Sequence, residues 1–294
     1  MAFWKLFFRL VYEKDVFINA SAITFNLFVF LIPFVLILIS IVGFLLSYDE
    51  AVIEINRYAQ DFFPTRYNVE TGVEHSETID TLLQPIVERR RTFGMYGFGI
   101  MILTSLALFG SLKHVLFEVF DIEDRVHPVK EFIYNFFVFG LVGGLFIFFT
   151  LSLSMVAIFT FNEVAIPFTD FVINLGWLFD LITQVIPILF TFALFFAIFR
   201  YLSEKKISLK VSYIGAFCYT ILFETARLGV GVYMDYAMKT YEYVYQSYAI
   251  FIILSIWMFY SALLFVISCI VAKAYQDVYY FKHILKESDA VSDW

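Results

Sequence analysis

Residues 22–47 read AITFNLFVFLIPFVLILISIVGFLLS, with no ionisable side chain among them. The hydrocarbon core of a bilayer is crossed by ~20 apolar residues in a helix, so this stretch predicts a transmembrane span. Five more stretches of that length follow, at 93–112, 132–160, 172–199, 211–234 and 247–272. The second is expected to continue as a helix past Lys113 to Phe120. The fold class predicted is an all-α integral membrane protein with six transmembrane helices.

Composition agrees. Of 294 residues, 61% are hydrophobic and 16% charged, against ~45–50% and ~25% in soluble domains. The 39 Phe and 19 Tyr suit a lipid-facing helix bundle. The net charge of −7 comes with no basic face, so no nucleic-acid partner is expected. Cys218 and Cys269 both lie in apolar stretches and read as buried filler. No Pro-rich or Gly/Ser-rich linker divides the chain, and residues 1–294 are read as one polytopic domain.

Ahead of the first span, residues 1–20 place Phe3, Phe7, Leu10, Val11 and Phe17 roughly on one helical face, with Lys5, Arg9 and Glu13 elsewhere. That pattern predicts an interfacial helix lying on the membrane.

Basic residues set the orientation. With the N-terminus inside, thirteen fall on the cytoplasmic side: Lys5, Arg9, Lys14, Lys113, Arg125, Lys130, Arg200, Lys205, Lys206, Lys210, Lys273, Lys282 and Lys286. Six fall outside: Arg57, Arg66, Arg89, Arg90, Arg91 and Lys239. Both termini are therefore expected in the cytoplasm, with residues 273–294 as a cytoplasmic tail. Residues 49–92 form the one sizeable extracytoplasmic segment, expected to be short helices. It has nine acids to five bases, and reads either as a solvated cap or as a docking surface for an envelope protein.

Within the spans, Gly140 and Gly144 have GxxxG spacing, which lets helices approach closely. Internal packing or a homo-oligomer contact both use it, and Gly144→Leu is expected to lower thermal stability. Pro33 and Pro187 each remove a helix hydrogen bond and are expected to bend their spans. Thr24 and Asn26 give the first span a polar inner end, and Trp257, Tyr260 and Ser261 put polar groups in the middle of the sixth.

The most unusual segment is FETARLG at 223–229. Glu224 and Arg227 sit inside a predicted span, where either ion alone costs ~2.5–3.5 kcal/mol on insertion scales. Their i, i+3 spacing lets them neutralise each other. They read as a structural ion pair or as a substrate or proton site, with Asp180 able to approach the same depth.

No HExxH, GxSxG or phosphate-binding glycine loop is present. No catalytic residue, metal site or cofactor is expected.

Three stretches resemble the YihY/BrkB family of bacterial inner-membrane proteins. ASAITFNLFVFLIPFVLIL at 20–38 keeps Ala20 and Pro33; FRYLSEKKISLKVSYIGAFCYTILFETARLGVGVYM at 199–234 keeps Arg200, Tyr201, Glu224 and Arg227; IWMFYSALLFVISCIV at 256–271 keeps Trp257, Tyr260, Ser261 and Ala262. The chain departs from the family pattern at Phe25, Asn26, Phe30, Ser203 and Ile270. The resemblance implies a role in envelope integrity. Two functions follow as expectations. One is a transporter or flippase-like protein for an amphiphilic envelope component, its partners being membrane lipids. The other is a non-transporting envelope scaffold whose outer segment binds a partner.

Overall fold

The computed structural model describes residues 2–45, 90–122, 128–158, 163–165, 172–174, 176–204, 206–245 and 249–292. Seven α-helices occur among them. A short helix α1 (Ala2–Glu13) precedes six long ones: α2 (Val16–Leu45), α3 (Arg90–Val119), α4 (Pro128–Ile158), α5 (Gly176–Ala197), α6 (Leu209–Tyr245) and α7 (Ala249–Ser292). The six follow the six predicted stretches. Four contain segments long and apolar enough to cross a membrane: Val16–Ile37, Gly94–Val119, Gln184–Leu202 and Phe251–Tyr279. A shorter apolar segment, Phe136–Phe149, lies in α4. Nearly all of the predicted extracytoplasmic segment, 49–92, lies outside the described residues.

Three details differ from the sequence expectation. The chain turns at Asp15 rather than near residue 20, so Val16 to Ser21 already belong to α2. Asp15 has φ 40, a left-handed conformation that a short polar side chain tolerates better than most. Residues 273–292, expected as a tail, continue α7. Between α4 and α5 the chain is not wholly irregular: β1 (Glu163–Ala165) pairs antiparallel with β2 (Val172–Asn174), Val164 opposite Ile173. The helix in the fourth predicted stretch accordingly starts at Gly176, not at 172.

The chain divides into two compact units. One comprises residues 1–20, 109–233 and 261–294; the other comprises 21–108 and 234–260. In the first, α5 ends in a π-helical turn, Ile198–Leu202. Such a turn shifts the backbone register and is frequent at functional sites. Side chains bind its carbonyls: Tyr134 Oη donates to Tyr201 O at 2.6 Å, and Ser203 Oγ to Phe199 O at 2.7 Å. The Arg200 guanidinium donates to the Ile207 carbonyl. The turn presents Phe199 to Gly215 of α6, where an added Cβ would lie 2.6–2.9 Å from three ring carbons. Phe195 stacks on Tyr219 with ring centroids 3.5 Å apart, and Phe265 of α7 lies 5.9 Å from Phe195 and 5.7 Å from Phe199. These rings form the core joining α5, α6 and α7.

In the second unit the close helix approach is made by glycines other than the predicted pair. A Cβ on Gly94 would meet Ser40 Oγ at 2.5 Å; one on Gly97 would meet Ile37 Cγ1 at 3.3 Å, Leu36 Cβ at 3.8 Å and the Pro33 carbonyl at 3.8 Å. Pro33 is buried there. Having no N–H, it frees the carbonyl of Val29 inside α2. Pro187 does the same for Thr183 in α5, and Thr191 Oγ in turn donates to the Pro187 carbonyl at 3.0 Å.

Gly140 and Gly144 are exposed, and no described atom lies within 4 Å of a Cβ added at either. The internal-packing reading of that motif is therefore corrected: spacing gave the right device on the wrong helix. Gly97→Leu is expected to cost about 1–3 kcal/mol by overpacking, whereas Gly144→Leu should leave the melting temperature in detergent unchanged. Thermal unfolding of the two variants side by side checks this.

Candidate functional site

α6 places its two ions as the spacing predicts. Glu224 Oε2 and Arg227 Nη2 are 2.8 Å apart, one helical turn from each other. The Glu224 side chain is 16% exposed and that of Arg227 is 49% exposed. The carboxylate is thus the member withdrawn into the protein, and the guanidinium reaches outward. Thr225 between them donates its hydroxyl to Ile221 O at 2.8 Å, which satisfies it within the helix. Geometrically the pair offers a shielded acceptor with a cation beside it, suited to a polar headgroup or a proton.

The remaining predicted residues are distributed over both units. Ser261 shares the first unit with Glu224 and Arg227; Thr24, Asn26, Trp257 and Tyr260 belong to the second. Asn26 Nδ2 donates to Ala22 O at 3.2 Å in its own helix. Tyr260 is 41% exposed. The backbone of Asp180 lies in α5, and its side chain is outside the described residues.

A second concentration of charge in the first unit was counted in the sequence only as topology signal. Lys14, just after α1, donates to Asp121 Oδ1 at 2.6 Å and to the Glu118 carbonyl at 2.7 Å. Lys273 of α7 holds the other oxygen of Asp121 at 3.2 Å. Asn19 of α2 donates to Glu118 Oε2 at 3.1 Å. Asp121 therefore clamps the α1–α2 elbow, the end of α3 and α7 together. Nearby, Lys113 of α3 meets Glu204 at 3.0 Å with its side chain 4% exposed, and Lys206 reaches the other Glu204 oxygen at 3.5 Å. Both ammonium groups also lie over the Phe117 ring, 4.9 and 4.5 Å from its centroid. Asp121 and Glu204 have φ 53 and 54, a left-handed conformation that the longer Glu204 side chain tolerates less well than the short Asp121. The ion pairs hold the backbone there. No local motif announces such partners, because they lie 91 and 107 positions apart.

Burial pushes the Asp121 carboxyl up, but Lys14 and Lys273 together outweigh it and hold the group below the usual carboxylate range. A depressed folded pKa gives stability that is present above the unfolded value of ~3.9 and lost as pH falls through the folded value. Asp121→Asn should flatten the dependence of melting temperature on pH in that acid range.

The family model for virulence factor BrkB matches residues 7–290. The chain belongs to the BrkB family. Among curated BrkB-like relatives, a UPF0761 membrane protein of Vibrio parahaemolyticus is 21% identical over 88% of this chain and 77% of its own length. One from Aliivibrio salmonicida is 21% identical over 85% of this chain and 75% of that protein. One from Chlorobium phaeobacteroides is 22% identical over 87% of this chain, which spans only 52% of that longer relative. No solved structure matches. With its apolar helices, this BrkB-family chain is a membrane protein.

Proposed function

We propose that this BrkB-family protein is a non-catalytic, multi-pass inner-membrane protein that moves an amphiphilic envelope component, a lipid or lipid-linked molecule, and so contributes to envelope integrity. All six long helices cross the bilayer in this reading, α1 lies along its cytoplasmic surface, and both termini are cytoplasmic. The observation that carries the proposal is the Glu224–Arg227 pair, 2.8 Å apart with the carboxylate shielded. With α6 crossing the bilayer, as this reading has it, the pair lies where an ion is costly to keep, and a substrate headgroup or proton is the natural user of it.

Purified protein in vesicles containing a headgroup-accessible fluorescent phospholipid tests the activity. Loss of protected fluorescence on adding a membrane-impermeant reductant should be faster than in empty vesicles, and slower again for Glu224→Gln. Equal rates in all three would remove phospholipid transport. Topology is tested separately. Cysteines replacing Glu74 and Ser288, in a background with Cys218 and Cys269 changed to Ser, should label from opposite sides. Labelling of both from one side would overturn the six-span arrangement.

The scaffold reading has one observation in its favour: the two ions already satisfy each other within one helix turn. It requires the pair to be dispensable for activity once its charges are removed together.

A further inference from the structure

The elbow between α1 and α2 carries four charged side chains, Arg9, Glu13, Lys14 and Asp15, and three of them are engaged. Arg9 Nε bonds Glu13 Oε1 at 2.7 Å along the outer face of α1. Lys14 turns to Glu118 and Asp121. Asp15 alone has no side-chain partner among the described residues, although its backbone carbonyl accepts from Asn19 N at 3.1 Å. Its left-handed backbone, φ 40, fixes it at the corner.

That corner opens onto a groove of about 430 Å³ lined by Phe8, Val11, Tyr12, Asp15, Val16, Phe17 and Ile18. Every lining residue but Asp15 is apolar or aromatic. Phe8 and Tyr12 are 66% and 89% exposed, so their rings are open to a ligand. A single carboxylate among aromatic rings is the chemistry that recognises an ammonium group, by ion pairing and by attraction to the ring faces.

We propose that this groove binds the ammonium headgroup of an aminophospholipid. Charge complementarity selects the amine: the lining has one negative group and no positive one. The apolar remainder selects a lipid over a free amine. Val16, Phe17 and Ile18 open the helix segment Val16–Ile37, which is apolar enough to enter a bilayer, so an acyl chain has a surface to follow. The inference uses the interfacial placement of α1 given above, and is independent of the Glu224–Arg227 reading.

Delipidated full-length protein in detergent, examined by native mass spectrometry, tests it. Phosphatidylethanolamine and phosphatidylglycerol of identical chains are added separately. Retention of phosphatidylethanolamine should exceed that of phosphatidylglycerol, and Asp15→Asn should weaken the first about fivefold while leaving the second unchanged. Asn accepts the same backbone conformation, so the elbow is preserved. Tyr12→Leu, which keeps the apolar surface, should also weaken binding by removing a ring. Ethanolamine, which has the amine and no tail, should not compete at the same concentration. Equal retention of both lipids, or unchanged binding by Asp15→Asn, overturns the proposal; so does full competition by ethanolamine, which would make the ligand a free amine. In a variant with Trp177, Trp257 and Trp294 changed to Phe, quenching of Trp4 by brominated lipid in vesicles reports the placement of α1 by itself. Absence of quenching with headgroup selectivity intact would therefore strike the interfacial reading and not the site.

Discussion

Gly215→Ala should leave much less folded protein than any other single methyl added to α6. The new Cβ would stand 2.6, 2.7 and 2.9 Å from Cε1, Cζ and Cδ1 of Phe199. A flexible side chain would move aside, but Phe199 cannot. It has no exposed surface, its ring packs 5.7 Å from that of Phe265, and its backbone lies in a π-helical turn fixed by bonds from Ser203 and Tyr134. Overpacking of this kind costs about 1–3 kcal/mol, and the rigid surroundings place Gly215→Ala at the upper end. Phe199→Leu alone should also destabilise, by about 1 kcal/mol, through lost ring contact. Combined, the two changes should be less harmful than their sum, because the smaller side chain leaves room for the methyl. Thermal unfolding of the two single variants and the double variant checks the coupling. Strict additivity would mean that Gly215 does not meet Phe199.

The same contact shows which parts of this fold the sequence made legible. Hydropathy located the six long helices because a long apolar run is written in the sequence itself, and α2, α3 and α6 begin or end within a few residues of the predicted stretches. It could not say which glycine meets which helix. Gly140 and Gly144 have the spacing expected for close approach, yet the tight contacts fall at Gly94, Gly97 and Gly215. Contact depends on the facing helix, which spacing within one helix does not contain. Glu224 and Arg227 were legible because their partner is one turn away on the same helix. The clamp of Lys14, Asp121 and Lys273 was not, because its members meet only after α1, α3 and α7 are assembled. In the sequence each was simply a charge near the end of an apolar run.

For the pair in α6, the two single neutralisations should be unequal. Arg227→Gln leaves a largely shielded Glu224 carboxylate without its cation, and losing one member of a buried pair costs about 3–5 kcal/mol. Partial exposure puts the loss at the lower end. Glu224→Gln leaves Arg227, whose side chain is 49% exposed and can extend toward the interface, so about 1 kcal/mol is expected. Changing both to Gln removes both charges and keeps polar groups of similar reach, so much of the stability lost in Arg227→Gln should return. Stability therefore does not separate the two readings of the pair, but activity of the stable double variant does. A pair that only holds the helices leaves the double variant able to complement a deletion strain under envelope stress, if the proposed role holds. A pair that meets a headgroup or a proton yields protein that folds, reaches the membrane and fails to complement it. The second outcome is expected. The carboxylate is shielded while its partner reaches outward, an asymmetry that purely mutual neutralisation does not require. Full restoration by a stably folded Glu224→Gln, Arg227→Gln protein would refute the transport site and leave the scaffold reading standing.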